Sequence, residues 1–164
     1  MTESNMQLKQ ILYGRPKAMA QIRGDSRHPN LRGRVRFYMA VRGVIVYAEV
    51  FGLPFTEEAC KAPVFALHIH DGFSCAGSAL DPPFPHAGSH YNPHLCEHPF
   101  HAGDLPPLFG NRGYALSIFL TDRISIDEII GKTIIVHSGV DDFTSQPAGN
   151  SGSKIGCGEI RRFY

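Results

Sequence analysis

Nine histidines stand in a chain of 164 residues, and seven of them fall between His68 and His101. Imidazole carries protons near neutral pH and is the commonest side-chain ligand for transition metals. A cluster this dense is therefore the first feature that could do chemistry. His68 and His70 end a strand-like run, Val64–His70. Residues i and i+2 of a strand face the same way, so both rings can reach one ion. Taken alone, that pair fits two histidines on a solvated strand face equally well. His90, His94, His98, His101 and Asp104 then follow within fifteen residues, and His137 closes a further run, Lys132–His137. Imidazole nitrogens suit copper and zinc, and an added carboxylate suits zinc.

These groups need elements to carry them. Alternation of period two marks strands. In Arg34–Met39 it places Val35, Phe37 and Met39 on one face, and in Val44–Val50 it places Val44, Val46, Ala48 and Val50 together. Tyr114–Leu120 sets Leu116, Ile118 and Leu120 on one side, and Ala18–Arg23 and Cys157–Arg162 are shorter candidates. Arg42-Gly43 reads as a hairpin turn between two of these runs. Ile126–Ile130 has room for one helical turn. Asp71–Pro107 and Ser138–Ser153 show no period and are rich in Gly, Pro and Ser. Loops that long need their own source of order, and metal ligation supplies it by tying loop side chains to one point. Short strands joined by long loops indicate an all-β Greek-key barrel or sandwich.

Composition sets further bounds. The length fits one domain, and 43% hydrophobic with 19% charged residues is ordinary for a globular chain. A formal net charge of +1 produces no strong global field, so no nucleic-acid or membrane partner is expected. No apolar run approaches the length needed to span a bilayer. Met1–Gly14 has no apolar leader, which favours the cytoplasm, whereas a structural disulfide favours an oxidising compartment. Residues 1–14 are expected to lie outside the fold without fixed structure, and 15–164 to form the domain.

Several motifs together resemble the copper/zinc superoxide dismutase family. Gly88-Ser89-His90-Tyr91-Asn92-Pro93 is similar to the segment holding that family's bridging histidine, and His101-Ala102-Gly103-Asp104-Leu105 to its zinc-ligand segment. Gly131–Asp142 resembles the last copper-ligand strand, and Gly149–Lys154 with Cys157-Gly158 the C-terminal signature. Gly43–Pro54 and Phe65–His70 also fit, and the likeness runs in one order from about Ala18 to Ile160. The resemblance implies copper held by His68, His70, His90 and His137, with His90 bridging to zinc. It implies zinc completed by His98, His101 and Asp104, and Asp141 as the carboxylate that hydrogen-bonds a histidine of each metal. It implies a Cys75–Cys157 disulfide, Lys154 beside copper, and superoxide as substrate, converted to dioxygen and hydrogen peroxide. A homodimer is compatible with the chain, whose sequence does not fix oligomeric state.

The chain departs from the family pattern in three places. Lys154 stands where an arginine is usual, keeping the charge but losing the planar fork. The interval from His98 to His101 is shorter than in eukaryotic members, so His94 could compete with His98 for zinc. Ser138–Ser153 carries only Asp141 and Asp142 as charged groups, so the charged guidance residues of fast members are not evident. These departures sustain a rival reading, a copper-binding or copper-delivering protein on the same fold with little turnover. A zinc hydrolase would want an open zinc and a general base, and Glu97 is the only glutamate in the metal loop. A purely structural metal site leaves the excess of ligands over four unexplained. Cys60 is expected as a small buried residue, Cys96 as a plain loop thiol, and His28 and His86 as loop residues.

Overall fold

The computed structural model describes residues 13–61 and 63–164. The segment expected to be unstructured, 1–14, lies almost wholly outside the described residues. Eight antiparallel strands form one sheet: β1 (Ala18–Gly24), β2 (Arg32–Ala40), β3 (Gly43–Phe51), β4 (Val64–His70), β5 (Asp104–Phe109), β6 (Tyr114–Thr121), β7 (Thr133–His137) and β8 (Lys154–Arg162). Their order is β5-β4-β7-β8-β1-β2-β3-β6. β5 and β6 stand at opposite ends of that order; apart from their link, the chain crosses from one side of the sheet to the other twice, between β3 and β4 and again between β6 and β7. These are the long connections of a Greek key. The end strands β5 and β6 lie side by side without a ladder, so the sheet curls into a nearly closed barrel.

Most expected strands are present. Val35, Phe37, Val44, Val46, Ala48 and Val50 fill the interior with Phe65, Leu67, Ile69, Ile134 and Val136. The alternation misleads at three points. Met39 emerges into solvent at the end of β2, while Tyr38, on the opposite face, is buried. Leu116, Ile118 and Leu120 do share a face of β6, but it points outward, and the core takes Ala115. The β2–β3 turn consists of Val41 and Arg42, with Gly43 already paired to Ala40. Gly43 has φ +133° and a Cβ there would strike the Thr121 carbonyl.

β5 is absent from the sequence reading, which left Asp71–Pro107 as loop. Two consecutive prolines, Pro106 and Pro107, hide it, because proline cannot donate to a ladder. They are tolerated at the edge of the sheet, in the register shift where Phe65 and Leu67 pair with Leu108 and Leu105. A helical turn, α1 (Ile126–Ile129), is closed by a capping box between Ser125 and Glu128.

β4 and β7 are buried on both faces. Their inward residues fill the barrel, and their outward residues lie under the long loops. A second, small core of Phe84, Ala87, Ile135 and Cys157, with Cys75 against it, seats the loop on β7 and β8. Cys75 and Cys157 are disulfide-bonded, with Cα atoms 5.6 Å apart. Cys96 is an exposed loop thiol as expected, but Cys60 is exposed rather than buried, on a turn residue with φ +63°.

Candidate metal centre

β4 supplies His68 and His70 from its outward face, and the neighbouring strand β7 ends at His137. His90 comes from the loop, joined to β4 by an isolated bridge with His70. One ligand atom from each of these four histidines lies within 4.8 Å of the others, and all four are buried. His90, His98, His101 and Asp104 form a second buried set by the same measure. His90 thus belongs to both. His94 is exposed and belongs to neither, as do His28 and His86.

Hydrogen bonds fix which ring nitrogen of each histidine is left bare. His70 Nδ1 donates to the Gly88 carbonyl at 2.9 Å, and His137 Nδ1 to the Gly152 carbonyl at 3.3 Å. Both Nε2 atoms are therefore acceptors in the neutral rings, yet they face each other across 3.2 Å. Two lone pairs held this close call for a cation between them. Asp141 spans both sets, accepting from His68 Nε2 at 2.9 Å through one oxygen and from His98 Nε2 at 2.8 Å through the other. Carboxylates in that position orient metal-bound imidazoles. The bonds leave His68 Nδ1, His98 Nδ1 and His90 Nε2 buried without a partner. Unpaired buried polar atoms are costly and rare, and here three converge on two points.

On the second set His90 Nδ1 donates to Asp104 Oδ1 at 2.8 Å. His98 Nδ1 and His101 Nδ1 lie 3.0 and 3.2 Å from Asp104 Oδ2. The His98 contact is short but not aligned as a hydrogen bond, which suits atoms that converge on an ion instead of on each other. Nitrogen, nitrogen, nitrogen and carboxylate oxygen make a donor set fit for zinc. The first set, four imidazoles, fits copper.

The electrostatics agree with neutral, lone-pair-bearing rings on the strands. Burial, then the neighbouring His90 and His137, pushes His68 down to about 2. Burial, then His137, takes His70 well below its usual 6.5, and burial lowers His137 to about 4. Burial alone would raise Asp104, but the hydrogen bond and charge of His90 hold it below the ordinary carboxylate value.

A cavity of about 950 Å³ opens over the first set, lined by His70, His90 and His137 on its floor and by Asp71, Gln146 and Lys154 on its walls. Lys154 reaches in from the start of β8, its Nζ donating to the Gly88 carbonyl at 3.1 Å and to Phe84 O at 3.4 Å. Burial pulls its ammonium below 10.5, opposed by Asp71. The sequence reading did not single out Gln146, whose amide meets the main chain of His98 from the far loop. A glutamine among Ser, Pro and Gly carries no spacing signal that could have found it.

An all-β barrel with two buried ligand sets sharing one imidazole defines a binuclear metalloprotein. The family model described as copper/zinc superoxide dismutase matches residues 31–160. Superoxide dismutase Cu-Zn 2 of Aquifex aeolicus is 33% identical over 144 residues, covering 79% of this chain and 78% of that protein. The Cu-Zn superoxide dismutase of Photobacterium leiognathi is 34% identical over 126 residues, covering 68% and 73%. The solved copper/zinc superoxide dismutase of Brucella abortus superposes with a TM-score of 0.71 at 24% identity, covering 87% of this chain and 98% of that one. That likeness speaks to the fold. The chain belongs to the copper/zinc superoxide dismutase family.

Proposed function

We infer that this protein is a copper- and zinc-dependent superoxide dismutase. The observation that carries the reading is the pair of buried ligand sets sharing His90, with bare nitrogens aimed at two points. His68 through Nδ1, and His70, His137 and His90 through Nε2, would hold copper. His90 through Nδ1, His98, His101 and Asp104 would hold zinc. When bound, copper exchanges one electron with superoxide in alternating directions, while zinc keeps a single oxidation state. The sum is two superoxide anions and two protons giving dioxygen and hydrogen peroxide.

The chain's own groups handle charge and protons. Lys154 places a cation on the wall of the cavity, where it attracts and orients a small anion. Its two carbonyl contacts hold the ammonium within the cavity. His90 lines the same cavity, where an imidazole can carry a proton to the reduced oxygen species. Asp141 keeps the rings of His68 and His98 oriented. A carrier that only delivers copper has no use for a complete second set sharing a ligand with the first. Sedimentation tests whether the chain assembles as a homodimer.

The deciding experiment measures metal content and superoxide turnover on one sample. One copper and one zinc per chain with rapid turnover is expected. Full loading with turnover no faster than the uncatalysed reaction would overturn the enzyme reading in favour of the carrier.

A further inference from the structure

His98 is buried in the short stretch before cis-Pro99, and its main chain must find hydrogen-bond partners there. Both of its backbone groups go to one side chain. His98 N donates to Gln146 Oε1 at 3.0 Å, and Gln146 Nε2 donates back to the His98 carbonyl at 2.8 Å. Gln146 lies 48 residues away in sequence, on the 138–153 loop. The same loop provides Asp141, whose Oδ1 takes the His98 imidazole. One loop therefore grips one proposed zinc ligand at both ring and backbone.

The loop is shaped for that grip. Asp142 Oδ1 accepts from Thr144 N at 2.9 Å and Ser145 N at 2.7 Å, and Oδ2 from Ser145 Oγ at 2.6 Å, folding the turn that presents Gln146. Gly149 N donates to Ser145 O, and Asp142 N to Gly149 O, closing the loop on itself. Gly149 has φ +64°, and a Cβ there would overlap Asp141 Oδ1 and His98 Nε2. Of the loop's only two charges, Asp142 is thus spent on the turn itself and Asp141 on the rings of His68 and His98. Gln146 also lines the cavity over the strand-borne histidines, together with its neighbours Ser145, Pro147 and Ala148.

Resting on the functional reading above, we propose that Gln146 is a positioning residue that clasps His98 to the 138–153 loop, so that zinc retention and the wall of the substrate cavity are set together. Gln146 acts through the main chain of His98. It fixes the peptide from which a zinc ligand projects, and the ion in turn fixes the loop.

The test compares the metal-loaded wild type with Gln146→Met, which keeps the side chain's bulk without its amide, and Gln146→Ala. The measurements are zinc release to an excess of chelator, the visible spectrum after cobalt(II) replaces zinc, and hydrogen exchange of the loop amides. Supporting partners of metal ligands typically carry ~10–100-fold in affinity. Zinc release from both variants should be faster by that order, with altered cobalt bands, while the melting temperature of the metal-free chain moves far less than that of the loaded chain. In the wild type, zinc removal alone should raise exchange at Asp142, Phe143 and Gly149. Release from Gln146→Met at the wild-type rate overturns the proposal, as does an equal fall in melting temperature with and without metal. A wild type that binds no zinc at all would overturn the functional reading and this inference with it.

Discussion

The two ligand sets are built by different means. Three of the four residues in the first come from the adjacent strands β4 and β7, where register alone dictates which side chains face outward together. All but one of the residues in the second come from the loop, Asp104 opening the edge strand β5. There position depends on contacts from elsewhere: Asp141 and Gln146 from the 138–153 loop, and the Arg123 guanidinium on the Pro99 carbonyl at 2.9 Å. A strand-built site is fixed by secondary structure. A loop-built site is only as firm as its distant partners, and substitutions should divide along that line.

His90 belongs to both sets, so its removal should erase the difference. Substituting His90→Ala should abolish most turnover, beyond the ~100-fold that outer partners typically carry, and uncouple the two metals. Near-normal activity with unchanged copper spectra would break the shared-ligand assignment. Lys154→Glu places a like charge in the path of superoxide and should cut turnover about 10-fold or more. Lys154→Arg should maintain or raise it, and the wild-type rate should decline modestly with salt. A Lys154→Glu variant with full copper and an unchanged rate would reduce Lys154 to a surface charge.

The disulfide sharpens the contrast. Cys157→Ser should cost about 2–4 kcal/mol of stability and loosen zinc before copper, because the bond anchors the loop while β4 and β7 hold their histidines without it. Metal analysis beside a thermal melt checks the order of loss. Acid probes the strand-built set directly. In the metal-free chain the strand-borne histidines have folded pKa values below 6.5, so the unfolded chain binds more protons as pH falls. Their contribution is complete above about 6.5 and is lost through 4 for His137 and on towards 2 for His68. Each should contribute a slope of ~1.4 kcal/mol per pH unit within its window, read from denaturant titrations at stepped pH. The smallest expected effect is His94→Ala, which should leave zinc affinity unchanged; a loss like that of His98→Ala would shift the register of the second set.

Legibility in the sequence followed the same division. The i, i+2 spacing of His68 and His70 on an apolar run places both on one strand face, and His137 at the end of a second run invites the neighbouring position. Nothing in residues 90–104 decides between His94 and His98 by spacing, since either could turn inward until the fold buries one and exposes the other. β5 was hidden by Pro106 and Pro107, whose cost is met by the sheet edge and a register shift that no local pattern announces. Cys60 looked like a core residue by type and sits on an exposed turn. The part Gln146 plays was invisible for a related reason: its partner is a peptide group, and peptide groups leave no mark in a sequence.

The carbonyls of Gly88 and Gly152 let the strand-built set take up an ion without releasing a proton. By holding the hydrogens of His70 and His137 on Nδ1, they present Nε2 ready to coordinate, and Asp141 does the converse for His68. An ion entering the strand-built set near neutral pH therefore displaces no hydrogen from these three rings. His90 differs, because the hydrogen it donates to Asp104 occupies the nitrogen that a second ion needs. Uptake of copper into the empty chain should depend little on buffer, whereas completing the bridge should expel that hydrogen as an acid equivalent. Calorimetric titrations in buffers of different ionisation heat would then show a buffer-dependent enthalpy for the bridging step.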